Sequence, residues 1–165
     1  MQAIILAGGK GTRLRPFTNT IPKPLVPLGD LPILEIILKQ LKCSGIEEIT
    51  VAVNYLARLI EAFFGDGSDM DLSINYSLEK QPLGTAGPLR LIENLQDHFL
   101  VMNGDILTNL NYKKLWDFHL TKNNDITVST FKKNVKIDLG VIEMNDGMLN
   151  NYIEKPSYSF MVSKG

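Results

Sequence analysis

The 165-residue chain sets 17 Lys and Arg against 18 Asp and Glu, with 44% hydrophobic residues and a single cysteine. That balance excludes a disordered or disulfide-stapled chain and predicts one globular domain over residues 1–165, while a net charge of −1 excludes nucleic-acid binding by bulk electrostatics. The apolar run Ala3 to Ala7 is too short for a secretion signal or a membrane span, so a cytoplasmic protein with no membrane partner is expected. Gln2 to Ala7 reads as a buried strand that runs into Gly8-Gly9. Residues 32–44 read as a largely buried helix, with Asp30 as its cap, Pro32 in its first turn and Gly45 closing it. Ile49 to Val53 is the next strand, followed by a helix whose inner face is Leu56, Leu59, Ile60 and Phe63 and which ends at Gly65. Residues 71–76 alternate as a half-buried strand, and Thr85 is positioned to cap a helix with Pro88 in its first turn and Leu89, Ile92 and Leu95 inside. Phe99 to Met102 reads as a buried strand that stops at Asn103-Gly104-Asp105, and Tyr112, Leu115, Trp116 and His119 mark another amphipathic helix. Residues 125–131 and 137–144 are predicted strands, Asp146-Gly147 is a two-residue hairpin turn into 148–153, and Ser159 to Val162 begins a further strand.

Strand and helix alternate through residue 122 without repeat or linker. The expected fold is therefore α/β: a three-layer, Rossmann-like, mostly parallel sheet with helices on both faces. Right-handed crossovers put the loops that follow the strands along one rim, where such sheets bind ligands. The segment from Gly8 and the segment Asn103 to Asp105 should both lie there.

The charge is unevenly spread. The first 29 residues hold Lys10, Arg13, Arg15 and Lys23 and no acid, whereas the remaining 136 carry 13 basic and 18 acidic side chains, a pattern suited to a small polyanion. Within that stretch, Gly8-Gly9-Lys10-Gly11-Thr12-Arg13-Leu14 uncovers backbone N–H groups that can wrap phosphate oxygens, and Arg13 adds a planar cationic fork. The string is neither a Walker loop, since no Gly-Lys-Ser/Thr closes it, nor a dinucleotide fingerprint, since Leu14 stands at the third glycine.

Taken with Pro22-Lys23-Pro24-Leu25-Val26-Pro27, the string resembles the signature of the sugar-1-phosphate nucleotidyltransferases, and most of all the mannose-1-phosphate guanylyltransferases among them. Pro82-Leu83-Gly84-Thr85-Ala86-Gly87, Asn103-Gly104-Asp105, Gly140 and Glu154-Lys155-Pro156 follow in the family's order, so the resemblance covers nearly the whole chain. It implies transfer of a nucleotidyl group from a nucleoside triphosphate to a sugar 1-phosphate with release of pyrophosphate, assisted by Mg²⁺. It further implies catalytic roles for Arg13, Lys23 and Asp105, with Asp105 the metal ligand, and nucleotide binding by Leu6, Ala7, Gly8, Gly9, Gly11, Thr12, Arg13, Glu79, Gly84 and Thr85. Gly140, Glu154 and Lys155 are the implied sugar-binding residues. Glu79 stands five positions before the glycine of Gly84-Thr85-Ala86, where the family places the side chain that meets the base edge. A carboxylate accepts the two adjacent donors of guanine in parallel, so GTP is the expected nucleotide. A thymidylyl-, uridylyl- or cytidylyltransferase and a non-catalytic nucleotide or nucleotide-sugar sensor are the alternatives, and homo-oligomerisation is left open.

Asp30-Leu31-Pro32 departs from the family, which commonly has a basic residue just before that proline. The family's second metal aspartate lies beyond residue 165, so the chain reads as the N-terminal, C-terminally truncated part of the catalytic domain, with impaired turnover expected. His98 and His119 have no partner at metal-ligand spacing and read as surface or helix-face histidines; Trp116 and Tyr112 read as packing residues and Cys43 as a small buried hydrophobe.

Overall fold

A computed structural model describes residues 1–9, 11–54, 56–81 and 83–163; Lys10 and Pro82 of the motifs above lie outside that set. Two units are present, Met1–Asn124 and a second that begins at Asp125. In the first, the elements run β1 (Gln2–Leu6), β2 (Pro27–Leu28), β3 (Leu31–Pro32), α1 (Ile33–Cys43), β4 (Glu48–Val53), α2 (Ala57–Phe64), β5 (Ser73–Leu78), β6 (Phe99–Asn103) and α3 (Tyr112–Lys122), with short 3₁₀ turns between them.

Four of the strands form a sheet in the order β5-β4-β1-β6, every neighbouring pair parallel. The central strands β1 and β4 are covered on both faces, which explains their near-continuous apolar sequences, Ala3-Ile4-Ile5 and Ile49-Thr50-Val51-Ala52-Val53. On one face Ala3, Ile5, Ile49 and Val51 meet α1 through Leu34, Ile37, Leu38 and Leu41, and Ile60 and Phe64 of α2 join the same core with Tyr112 of α3. Leu34, Ile37, Leu38 and Leu41 are each fully shielded, worth about 1.5–3 kcal/mol apiece relative to exposure.

The opposite face, with Ile4, Thr50 and Ala52 buried, belongs to the crossover from β5 to β6. Among the described residues its helical segment is a 3₁₀ turn, Gly87–Leu91, where the sequence predicts a longer helix capped by Thr85. Gly84 has φ +80°, Ala86 takes the cap position without a side-chain bond, and the backbone turns extended at Ile92. Beyond it, Gln2 replaces the helical hydrogen bonds: its amide donates to Asn94 O (3.0 Å) and to Glu48 Oε1 (3.1 Å), and its carbonyl oxygen accepts from Gln96 N (3.0 Å). The layers are the expected ones, with the second built by a buried glutamine and a 3₁₀ turn.

Other expectations shift for local reasons. Asp30 does not cap α1; it sits with Gly29 (φ +66°) in the two-residue turn joining β2 to β3, and the helix starts after Pro32 with Ile33 N–H donating to Val26 O at 3.1 Å. In α2 the inner face is Ala57, Ile60 and Phe64, leaving Leu59 and Phe63 exposed, and Leu56 stands outside the helix as its left-handed N-cap residue (φ 58°). β5 lies two residues further on than predicted, and β6, an edge strand, is half-buried except at Met102. Cys43 is exposed. Asn111 caps α3, its side chain accepting from Lys114 N at 2.9 Å. Among the described residues no helix is long and apolar enough to cross a membrane.

The second unit contains two antiparallel pairs: β7 (Phe131–Lys136) with β10 (Ser157–Val162), and the hairpin of β8 (Val141–Asn145) and β9 (Met148–Ile153). Asp146 and Gly147 both have positive φ, 48° and 78°, as the expected hairpin turn requires. The predicted strand 125–131 forms instead at 131–136, because its partner strand supplies hydrogen bonds only from Phe131 onward.

Gln2→Leu keeps the buried volume and strips Asn94 O and Gln96 N of their partner. We expect a loss of about 1–3 kcal/mol in denaturant unfolding, with faster hydrogen exchange at the Gln96 amide; unchanged exchange there would refute the role given to Gln2.

Candidate functional site

The strand order reverses beside β1: the chain moves from β1 to β4 and β5 on one side and returns to β6 on the other. Parallel sheets open a crevice at such a point, outside the carboxyl ends of the strands. β1 is held by both neighbours to its end, with Ala7 N–H donating to Ala52 O (2.8 Å) and Gly104 N–H to Leu6 O (2.9 Å). The loop that begins at Gly8 and the Gly104-Asp105 turn therefore leave the sheet side by side.

The three glycines of the loop differ in their surroundings. A Cβ on Gly8 would lie 3.0 Å from Glu79 Oε2 and 3.4 Å from Asn54 Cβ, whereas one on Gly9 would meet nothing within 4 Å. Gly11 is left-handed (φ +59°), and a Cβ there would come within 2.9 Å of Thr18 Cγ2 and 3.3 Å of Lys23 Cβ. Buried Thr18 fastens this corner by donating its hydroxyl to Gly11 O at 2.8 Å. Thr12, Arg13 and Leu14 then form a 3₁₀ turn, and Arg13 is exposed.

Lys23 starts another 3₁₀ turn, flanked by buried Pro22 and Pro24, and its ammonium pairs with the Asp105 carboxylate. The side chains are 26% and 31% exposed, so a pair joining positions 82 residues apart remains open to a ligand. Glu79 follows β5 directly; its N–H donates to Val53 O at 2.8 Å, and its carboxylate, with the residue only 7% exposed, accepts the Leu83 N–H. Gly84 (φ +80°) and Thr85 are exposed on the loop beyond. The structure thus brings together Gly8, Gly11, Lys23, Glu79 and Asp105, and adds Thr18 and Asn54, which the sequence reading missed. Asn54 follows β4 directly, the one signal that could have found it.

No group of three or more His, Cys, Asp or Glu side chains poised for a metal occurs among the described residues. Asp105 offers a single half-open carboxylate, a donor set that fits an ion such as Mg²⁺, which is held by one or two carboxylates and completes its shell with water and phosphate oxygens.

In the second unit, the space a Gly140 Cβ would take is filled by the Tyr152 phenol. Its hydroxyl donates to the Glu154 carboxylate, so Gly140, Tyr152 and Glu154 form one cluster, with Lys155 next in chain at φ +44°. Tyr152 is two residues before Glu154, just inside the end of β9 while Glu154 lies just beyond it, so the two are close neighbours in the sequence.

A family model described as nucleotidyl transferase matches residues 2–165. The mannose-1-phosphate guanylyltransferase of Mycobacterium tuberculosis is 40% identical over 130 residues, covering 78% of this chain and 36% of that protein. The mannose-1-phosphate guanyltransferase of Kluyveromyces lactis is 36% identical over 164 residues, 94% of this chain and 45% of that protein. The chain spans less than half the length of these curated relatives. Among solved structures, HddC from Yersinia pseudotuberculosis superposes with a TM-score of 0.67 at 27% identity, covering 99% of this chain and 74% of that one. The same protein complexed with GMP-PN gives 0.65 at 25%, covering 98% and 73%.

The hydrogen bond to Glu154 holds the Tyr152 phenol above its ordinary pKa, since ionisation would lose the donor and set two negative oxygens together. Glu154→Gln should lower that pKa toward the ordinary tyrosine value, read from the ring carbon shift of Tyr152 during an alkaline titration. No downward movement would exclude the bond as its cause.

Proposed function

The chain belongs to the nucleotidyl transferase family, and from that membership and the rim geometry we propose that it forms the nucleotide-binding part of an enzyme that transfers a guanylyl group from GTP to a sugar 1-phosphate, mannose 1-phosphate first, releasing pyrophosphate in the cytoplasm. The observation that carries the proposal is the Lys23–Asp105 pair set beside the Gly8–Gly11 loop at the reversal of strand order. A cation, a carboxylate and a glycine-rich loop at one crevice are what a metal-bound triphosphate needs.

In this reading an oxygen of the sugar phosphate, already anionic, attacks the α-phosphorus in line and the bond to pyrophosphate breaks. No side chain has to remove a proton, so the residues act by position and charge. Backbone N–H groups from Gly8 to Gly11 hold the phosphate oxygens, with Leu6, Ala7 and Thr12 framing the loop and Arg13 closing over it. Lys23 turns its ammonium from Asp105 to the reacting phosphates, and Asp105 is the residue that would hold Mg²⁺. When bound, the ion supplies charge neutralisation across the phosphates. Glu79, buried against Gly8 and oriented by the Leu83 amide, keeps lone pairs for the N1–H and 2-amino donors of guanine, with Gly84 and Thr85 beside the base. Gly140, Glu154 and Lys155 are assigned to the sugar phosphate, now with Tyr152 as the group that orients Glu154.

Calorimetric titration of the folded chain with Mg-GTP should show binding, and none at millimolar nucleotide would overturn the proposal. In a version extended to the end of the catalytic domain, Asp105→Asn should slow pyrophosphate release about a hundredfold or more. GTP should be preferred over dTTP and UTP by about two orders of magnitude, a preference that Glu79→Gln shrinks. A preference for dTTP would move the assignment to a thymidylyltransferase, and binding without turnover to a nucleotide sensor.

A further inference from the structure

Two histidines that are 21 residues apart, and without ligand spacing in the sequence, meet in the fold. His98 Nδ1 stands 3.1 Å from His119 Nε2, with ring centroids 5.1 Å apart and planes at 76°. We propose that the pair is a two-imidazole site for a divalent transition-metal ion of the zinc or copper class, separate from the Asp105 centre.

The separation suits chelation. Two metal–nitrogen bonds of about 2.05 Å spanning 3.1 Å subtend about 100° at the ion, between octahedral and tetrahedral angles. Imidazole nitrogen favours copper and zinc over magnesium, which seeks oxygen and keeps its water. The tautomers required are simple: His98 keeps its proton on Nε2 and His119 on Nδ1, so both facing nitrogens present lone pairs. Among the described residues no third His, Cys, Asp or Glu completes a cluster, so water fills the remaining positions and the site stays open to exchange.

Backbone placement sets the distance. His98 immediately precedes β6, and His119 lies on the face of α3 that also carries buried Tyr112, at the i+7 position. Both histidines are thus tied to regular elements, while exposed His98 admits an ion from solution. A bound ion would bridge α3 to the start of the strand whose other end leads into Asp105.

The test uses Cu²⁺ and Zn²⁺ on the chain carrying Cys43→Ser, which removes the exposed thiol as a competing ligand. We expect one ion bound at micromolar concentration by calorimetry, nitrogen hyperfine structure from two imidazoles in the Cu²⁺ spin-resonance spectrum, and no displacement by excess Mg²⁺. His98→Gln and His119→Gln should each weaken binding about tenfold or more and abolish the two-nitrogen signature. Both substitutions lie outside the core, and circular dichroism checks that the variants fold. Binding only at millimolar metal, or binding that either variant leaves unchanged, overturns the proposal and leaves a hydrogen-bonded surface pair.

Discussion

Two backbone hydrogen bonds at the end of β1, Ala7 N–H to Ala52 O and Gly104 N–H to Leu6 O, decide where everything else in the candidate site can be. They carry the parallel register to the last residue of the central strand, so segments almost a hundred residues apart emerge at one point of the rim. Gly104 allows this closeness: a Cβ there would press on Ile5 Cγ2 at 3.1 Å and Ala7 Cβ at 3.4 Å. The aspartate that follows is thereby delivered to the edge of the crevice.

Charge at that edge is balanced before any ligand arrives. Lys23 and Asp105 neutralise each other at a position where each remains about a quarter to a third exposed, so neither bears the full desolvation cost of a buried ion and the pair adds little to stability. An ion pair of small net worth is easily exchanged. Its two members can part toward opposite charges on a metal-bound triphosphate without unmaking the fold, which is a reason to find it at a binding rim instead of a core.

The two units are stabilised in different ways. The first surrounds β1 and β4 with apolar side chains and ties its second layer to the sheet through Gln2. In the second, none of residues 125–163 is buried, and order comes from ladder hydrogen bonds, the Asp146-Gly147 turn and side-chain contacts such as Tyr152 with Glu154. Two-stranded ribbons of this kind are marginal by themselves.

Much of the molecule was legible because the governing chemistry is local. The apolar runs of β1 and β4, the periodicity of α1 and α3, the Gly65 stop and the Asp146-Gly147 hairpin depend on residues within a few positions of one another, and they formed where expected. The glycine-rich loop was recognisable for the same reason, since positive φ at Gly11 is a property of that residue. The 85–95 helix was not, because a glutamine more than ninety positions earlier captures Asn94 and Gln96 and offers their backbone an alternative to helical bonding. Nor could residue types alone place the Glu79 carboxylate against Gly8, pair Lys23 with Asp105, or bring His98 to His119. Those contacts follow from strand order and crossover, which are cooperative properties of the packed sheet; local sequence determined which groups were available, and only the tertiary structure decided which of them meet.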